Sequence, residues 1–213
     1  MRKRYADFTT DAKTLLPRGA WWEDRQNASK IRKHSTTLFA ESMASCTAVT
    51  YVNGSLVGDP LDVQMFEATG WVLDETDQSK SEVEGHEQMV IAYTYPKAAA
   101  DQRNNKRAML SMSSADDDNN HGSYKSALIR RFDFSSQLQR MSVICKNDFD
   151  QEYRAFVKGS PEKILELCNR ESIPHDYQQV LTEYTQEGYR VIALSYKDLP
   201  NLSYRSAHSI SRD

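Results

Sequence analysis

Phe156-Val157-Lys158-Gly159-Ser160-Pro161-Glu162 reads as the end of a strand running directly into the start of a helix. Phe156 and Val157 have the aromatic and β-branched character that strands favour. Gly159 permits a sharp turn and leaves space beside Lys158. Ser160 suits a helix N-cap and Pro161 the first helical position, where a missing N–H costs nothing. A lysine at such a junction, next to free backbone N–H groups, is well placed to meet an anion. Many strand–turn–helix junctions look alike, however, and an ordinary turn explains the run equally well.

The elements outside this junction define an α+β arrangement. Ile31, Leu38, Phe39 and Met43 fall near helical spacing and predict a helix from Asn27 to about Cys46. Asn53-Gly54 between short apolar flanks predicts a hairpin over Tyr51 to Leu56. In Gly58-Asp59-Pro60-Leu61-Asp62, Asp59 stands as N-cap, and the helix it opens stops near Gly70. Strands are expected at Met89–Tyr95, Ala127–Phe134, Met141–Lys146, Tyr153–Lys158 and Tyr189–Tyr196. Helices are expected from Pro161 to about Cys168 and from Asp176 to Gly188. Several strands follow one another without a crossover helix, which favours a mainly antiparallel, twisted sheet flanked by helices over a doubly wound parallel sheet.

The expected organisation is a partly packed lead-in over 1–26, a main domain over 27–199 and a C-terminal linker over 200–213. A polar insertion at about 97–126, rich in Ala, Asn, Asp and Ser, interrupts the domain and reads as mobile surface. The Trp21-Trp22 pair is either ordinary core or a contact surface.

Composition narrows the function classes. A net charge of -3 over 213 residues gives no general nucleic-acid surface. Three scattered cysteines, Cys46, Cys145 and Cys168, do not make a disulfide framework and point to a reducing compartment. The five histidines form no metal-spaced pair. No apolar run approaches the length of a membrane span, so the chain is read as a soluble piece that does not itself enter a membrane. Neither a Gly-x-x-x-x-Gly-Lys-Ser/Thr loop nor a Gly-x-Gly-x-x-Gly loop is present.

Four patches could carry chemistry, each with a plainer account beside it. Lys158 to Glu162 is the first. Phe132 to Val143 is the second: a plain hairpin with Phe134 in the core, or an aromatic platform with donors beside it. In the third, Gly188 to Leu194, Arg190 near the start of an apolar strand is a solvated strand end or an anion contact. The fourth, Asp59 and Asp62, is helix capping before it is a ligand site.

In this order the four patches resemble the nucleotide-binding domain of P-type ATPases. Lys158 to Glu162 matches the family's Lys-Gly-Ala/Ser-Pro-Glu motif. Gly58 to Asp62 is similar to its Gly-Asp/Glu-x-x-Glu helix start. Phe134-Ser135 through Met141-Ser142-Val143 is similar to its Phe-Ser-x5-Met-Ser-Val stretch, and Gly188-x-Arg190-x-x-Ala193 to its Gly-x-Arg-x-Leu/Ile-Ala strand. Glu67-Ala68-Thr69-Gly70-Trp71, Leu138-Gln139-Arg140 and Tyr189-Arg190-Val191-Ile192-Ala193-Leu194 resemble the fifth class, which includes endolysosomal and vacuolar polyamine-exporting pumps. The likeness covers about residues 31 to 199.

The resemblance implies roles residue by residue. Phe134 stacks on adenine, and Asp62, standing for a glutamate, lies beside the adenine amino group. Lys158 lines the pocket, with Gly159 allowing close approach. Arg190 reaches towards the phosphates. Ser136 and Gln139 replace basic residues of some relatives, and Arg140 takes over part of that charge. The implied ligand is ATP or ADP, as Mg-ATP in the intact pump, and the implied partners are the phosphorylation and actuator domains of the same parent chain. No Asp-Lys-Thr-Gly-Thr, Thr-Gly-Glu or Mg²⁺-binding motif occurs in the sequence. The expectation is therefore a monomeric cytosolic domain of a membrane pump, binding ATP without turnover of its own and presenting it to an aspartate elsewhere. An interaction module that keeps the fold but binds nucleotide very weakly is the alternative, and a self-contained phosphotransferase a remote third.

Overall fold

The structure, a computed structural model, describes residues 38–75, 81–83, 86–88, 90–97, 125–148 and 150–212. The lead-in with Trp21-Trp22, the first part of the expected helix from Asn27 and nearly all of the insertion lie outside the described residues.

Helix α1 covers 38–45. A hairpin follows, β1 (Thr50–Val52) and β2 (Ser55–Val57), turned by Asn53 at φ 51° and Gly54 at φ 79°. Two successive left-handed residues match the right-handed twist of the flanking strands, and Asn-Gly tolerates that conformation best. Helix α2 (Pro60–Thr69) starts where the Asp59 carboxylate accepts from Leu61 N at 3.0 Å and ends on the left-handed Gly70. β3 (Trp71–Asp74) comes next, then a small pair, β4 (Ser81–Val83) and β5 (His86–Gln88).

The remaining strands are β6 (Ala92–Pro96), β7 (Ser126–Ser135), β8 (Arg140–Asn147), β9 (Tyr153–Gly159) and β10 (Ala193–Asp198). With β3 they form a six-stranded sheet in the order β10-β9-β8-β7-β6-β3, antiparallel at every pairing. Helix α3 (Pro161–Leu167) leaves β9 and packs on β9 and β10. Helix α4 (Tyr177–Gln186) is tied to it by the Tyr177 hydroxyl, which donates to the Pro161 carbonyl at 2.9 Å. Asp176 makes no capping bond with its side chain, so the sequence signal for that helix start was positional only.

Both faces of the sheet are covered. On one, Leu38 and Cys46 pack with Leu128, Met141, Val143, Cys145 and Phe156, and α2 continues that layer through Phe66 against Trp71 and Leu73. On the other, Ile129, Ile144, Tyr153, Tyr93 and Val90 pack against Ala207 of helix α5 (Tyr204–Ser209), with Leu199, Leu202 and Tyr204 beside it. The tail after Pro200, expected to be a linker, instead carries a covering element. Its short apolar residues fit one face that no other described helix occupies in that cluster.

Two strand boundaries also differ from expectation. Tyr189–Ile192 do not join β10, because Ala193 pairs with Gly159, the last residue of β9, and β9 then turns away into α3. Likewise the expected strand from Met89 begins only at Ala92. β3 gave too short a pattern to be read as a strand in advance, although Trp71 and Leu73 alternate inward.

Candidate functional site

One end of the sheet gathers the chemistry-bearing residues. β7 ends at Ser135, β8 begins at Arg140, β9 ends at Gly159 and β10 begins at Ala193, and antiparallel pairing brings these four termini together. The β7–β8 turn is closed by Gln139 N donating to the Ser135 carbonyl at 2.7 Å and Leu138 N to Ser135 Oγ at 3.3 Å. Gln139 is left-handed, at φ 51°, and its carbonyl accepts from Ser160 N at 3.1 Å. A Cβ on Gly159 would run into that same carbonyl and lie 2.9 Å from Arg140 Cα. Gly159 is therefore required by a backbone crossing, a more specific reason than the open turn inferred from sequence.

A β-bulge decides which face Phe134 takes. Phe132 pairs with Ser142 and Ser135 with Arg140, so Asp133 and Phe134 together oppose Met141. Ser135 lies on the side of Arg140 and Gly159, and Phe134, one residue earlier, faces the other side, that of Met141 and Lys158. Phe132 instead packs against the α5 cluster. Phe134 is 61 % exposed, too much for a core aromatic.

On that same face Lys158 is 5 % exposed and Asp62, from the first turn of α2, 7 %. Lys158 Nζ donates to Asp62 Oδ1, and Asp62 Oδ2 accepts from Ala48 N at 3.1 Å. The anion that Lys158 meets in this structure is a carboxylate from another helix. Cys46 lies beneath the pair, its Sγ 3.7 Å from the Phe156 carbonyl and 3.9 Å from that of Met141. Burial pushes the Cys46 thiol up from 9.0 to about 12, partly opposed by the nearby Lys158 charge. The thiol is thus a neutral floor and no nucleophile at ordinary pH.

The structure therefore brings Phe134, Lys158 and Asp62 onto one face and places Gly159 at their edge. Arg190 is exposed and lies just before β10, at the same end of the sheet. Ser136 is exposed in the turn. Arg140 does not join the group: its register with Gly159 and Ser135 turns its side chain to the opposite face from Lys158. The arrangement offers an open aromatic surface beside a buried donor–acceptor pair, with one exposed cation nearby. A cavity of about 20 Å³ lined by Ser45, Thr47, Thr94, Glu75 and Arg131 includes none of these residues and has room for little more than a water.

Two contacts at this end were not foreseen from the sequence, the backbone role of Gln139 and the reach of Arg212. Gln139 sets the close crossing at Gly159, and Arg212 donates through Nη2 to the Arg140 carbonyl at 2.6 Å. Nothing in the polar tail signalled the second. The Lys158–Asp62 pairing left no local trace, because it joins residues 96 apart on two different elements.

An open sheet end with these motifs on adjoining strand termini defines a family. Residues 107–213 match the family model of the P-type ATPase cytoplasmic domain N. The chain belongs to the P-type ATPase family, as that N domain. It is similar to the polyamine-transporting ATPase 13A3 of Homo sapiens, 36% identical over 176 residues, which is 82% of this chain and 14% of that protein. It is also similar to the vacuolar cation-transporting ATPase YPK9 of Saccharomyces cerevisiae, 37% identical over 218 residues, 99% of this chain and 14% of that protein. With the polyamine-transporting ATPase 13A2 of Homo sapiens it shares 37% over 173 residues, 81% of this chain and 13% of that one. The chain thus spans about one-seventh of the length of these relatives.

Proposed function

We propose that this domain binds ATP at the Phe134 end of its sheet and positions it for phosphoryl transfer to an aspartate outside this sequence, within a P-type pump that moves polyamines or other cations. The observation that carries the reading is the exposed Phe134 on the same face as the Lys158–Asp62 pair. An exposed aromatic suits stacking by adenine, whose π face needs no matched hydrogen bonds. Asp62 retains lone pairs for the adenine amino group, Lys158 closes the floor, and Gly159 keeps the backbone low beside it. Arg190 would steer the phosphates, with Ser136 at the rim of the turn, while Arg140 contributes its main chain to that turn and not its side chain to the site. Mg²⁺ would travel with the nucleotide. The phosphorylation and actuator domains of the parent chain would be the protein partners, and the endolysosomal or vacuolar membrane the setting.

Binding on this scheme is weak. One base–aromatic stack contributes about 1–3 kcal/mol, and one or two charge-assisted contacts at an open surface add about 1.5–3 kcal/mol. The sum, roughly 3–6 kcal/mol, corresponds to dissociation constants from millimolar to tens of micromolar. With Lys158 already paired to Asp62, the lower end is favoured. That pairing also supports a second reading, an interaction module of the same fold with little ATP affinity.

An NMR amide titration with ATP tests the proposal. The expected result is saturable shifts at Asp62, Phe134, Lys158 and Arg190, lost or greatly weakened in Phe134→Ala. Absence of any shift at these positions up to about ten millimolar ATP, beyond the weak limit above, would overturn it and favour the interaction module.

A further inference from the structure

The turn that presents Phe134 is held from three directions. Ser135 closes it internally through its carbonyl and hydroxyl. Ser160 N, at the start of α3, donates to the Gln139 carbonyl. The third contact comes from the far end of the chain, where Arg212 Nη2 donates to the Arg140 carbonyl at 2.6 Å. Arg212 reaches this point because α5 lies across the opposite face, with Ala207 fully buried and a second tether from the Arg130 guanidinium to the His208 carbonyl. Arg212 Nε is buried without a hydrogen-bond partner among the described residues. Burial of an unsatisfied donor carries a cost that a solvated tail would avoid, so the guanidinium is held here by what its other nitrogen does.

We propose that Arg212 is a positioning residue for the candidate nucleotide site. By fixing the Arg140 main chain it preserves the pairing of Arg140 with Ser135, and that pairing turns Phe134 onto the Lys158 face. Arg212 acts through the turn and not on the ligand. It lowers the disorder that stacking would otherwise have to remove. The inference rests on the nucleotide reading above and extends it to a residue outside the family motifs.

The test uses the 213-residue chain with four variants, Arg212→Ala, Arg212→Lys, Arg130→Ala and Phe134→Ala, each titrated with ATP and followed by amide NMR. Arg212→Ala is expected to weaken ATP binding by about threefold to tenfold. Its nucleotide-free spectrum should change mainly at residues 134–140. Arg212→Lys should recover most of the affinity, because an ammonium can donate to the same carbonyl. Arg130→Ala releases the same tail from its other tether and should leave ATP affinity within about twofold. Equal ATP affinity in Arg212→Ala and wild type would overturn the positioning role. So would an equal loss in Arg130→Ala, which would mean that tail packing alone matters. If the wild-type chain gives no saturable response, the nucleotide reading itself falls. If wild type binds, Phe134→Ala does not and Arg212→Ala binds normally, only the role of Arg212 is lost.

Discussion

Gly159 shows how much one missing methyl group decides. The Gln139 carbonyl occupies the space where a Cβ would go, and Arg140 Cα stands just behind it. Both are backbone, so neither can swing aside as a side chain would. Gly159→Ala is expected to cost about 2–3 kcal/mol of stability, because β8 and the start of α3 must separate. The loss would be read from the urea midpoint. Amide shifts centred on Gln139 and Ser160 would tie it to this crossing, whereas an unchanged midpoint would mean that the turn relaxes freely. Lys158 and Asp62 illustrate the complementary case of a buried pair, in which removing either partner strands a charge.

Among the elements, α2 and β7 place most of the site. The Asp59 carboxylate starts α2 three residues before Asp62, so the cap sets the pitch at which Asp62 reaches Lys158. Asp59→Ala is expected to lower stability by about 1 kcal/mol with the urea m-value unchanged, and Asp59→Asn to recover most of it. Equal stability in Asp59→Ala and wild type would count against the cap. The helix start, the Asn-Gly hairpin and the strand–helix junction at Lys158 were legible because each depends on a local backbone preference. The bulge in β7 was not. Simple alternation would put Phe132 and Phe134 on one face, and only pairing with β8 shows that the extra residue divides them between two. For the same reason the start of β10 was misjudged: it depends on where β9 departs, and no local pattern in Tyr189–Ile192 records that.

For the molecule as a whole, the buried thiols and a phenol tie stability to alkaline pH. Burial raises Cys46 from 9.0 to about 12, raises Cys145 further in the same direction, and raises Tyr177 from 10.0 to about 12. A raised pKa in the folded state means that the unfolded chain loses these protons first. Their contribution is therefore fully present below about pH 9 and is lost progressively as pH rises towards 12. The urea midpoint should fall steadily between about pH 9 and pH 12, with a shallower fall in Cys46→Ala. A flat profile over that range would show that the thiols are not protected from ionisation by the fold.

The covering of the central strands on both faces has a consequence for how the chain is made. Leu38 lies against β8 and β9 from one side, while Ala207 closes the cluster on the other, and the Arg130–His208 contact joins residues 78 apart. As the polypeptide leaves the ribosome, its early strands must wait for their last cover. Until then the Ile129–Ile144–Tyr153 surface stays wet, and contacts this distant in sequence are slow to close. Among the described residues, α5 is thus the cover that closes this surface, and until it docks the Ile129–Ile144–Tyr153 cluster stays open to unwanted contacts.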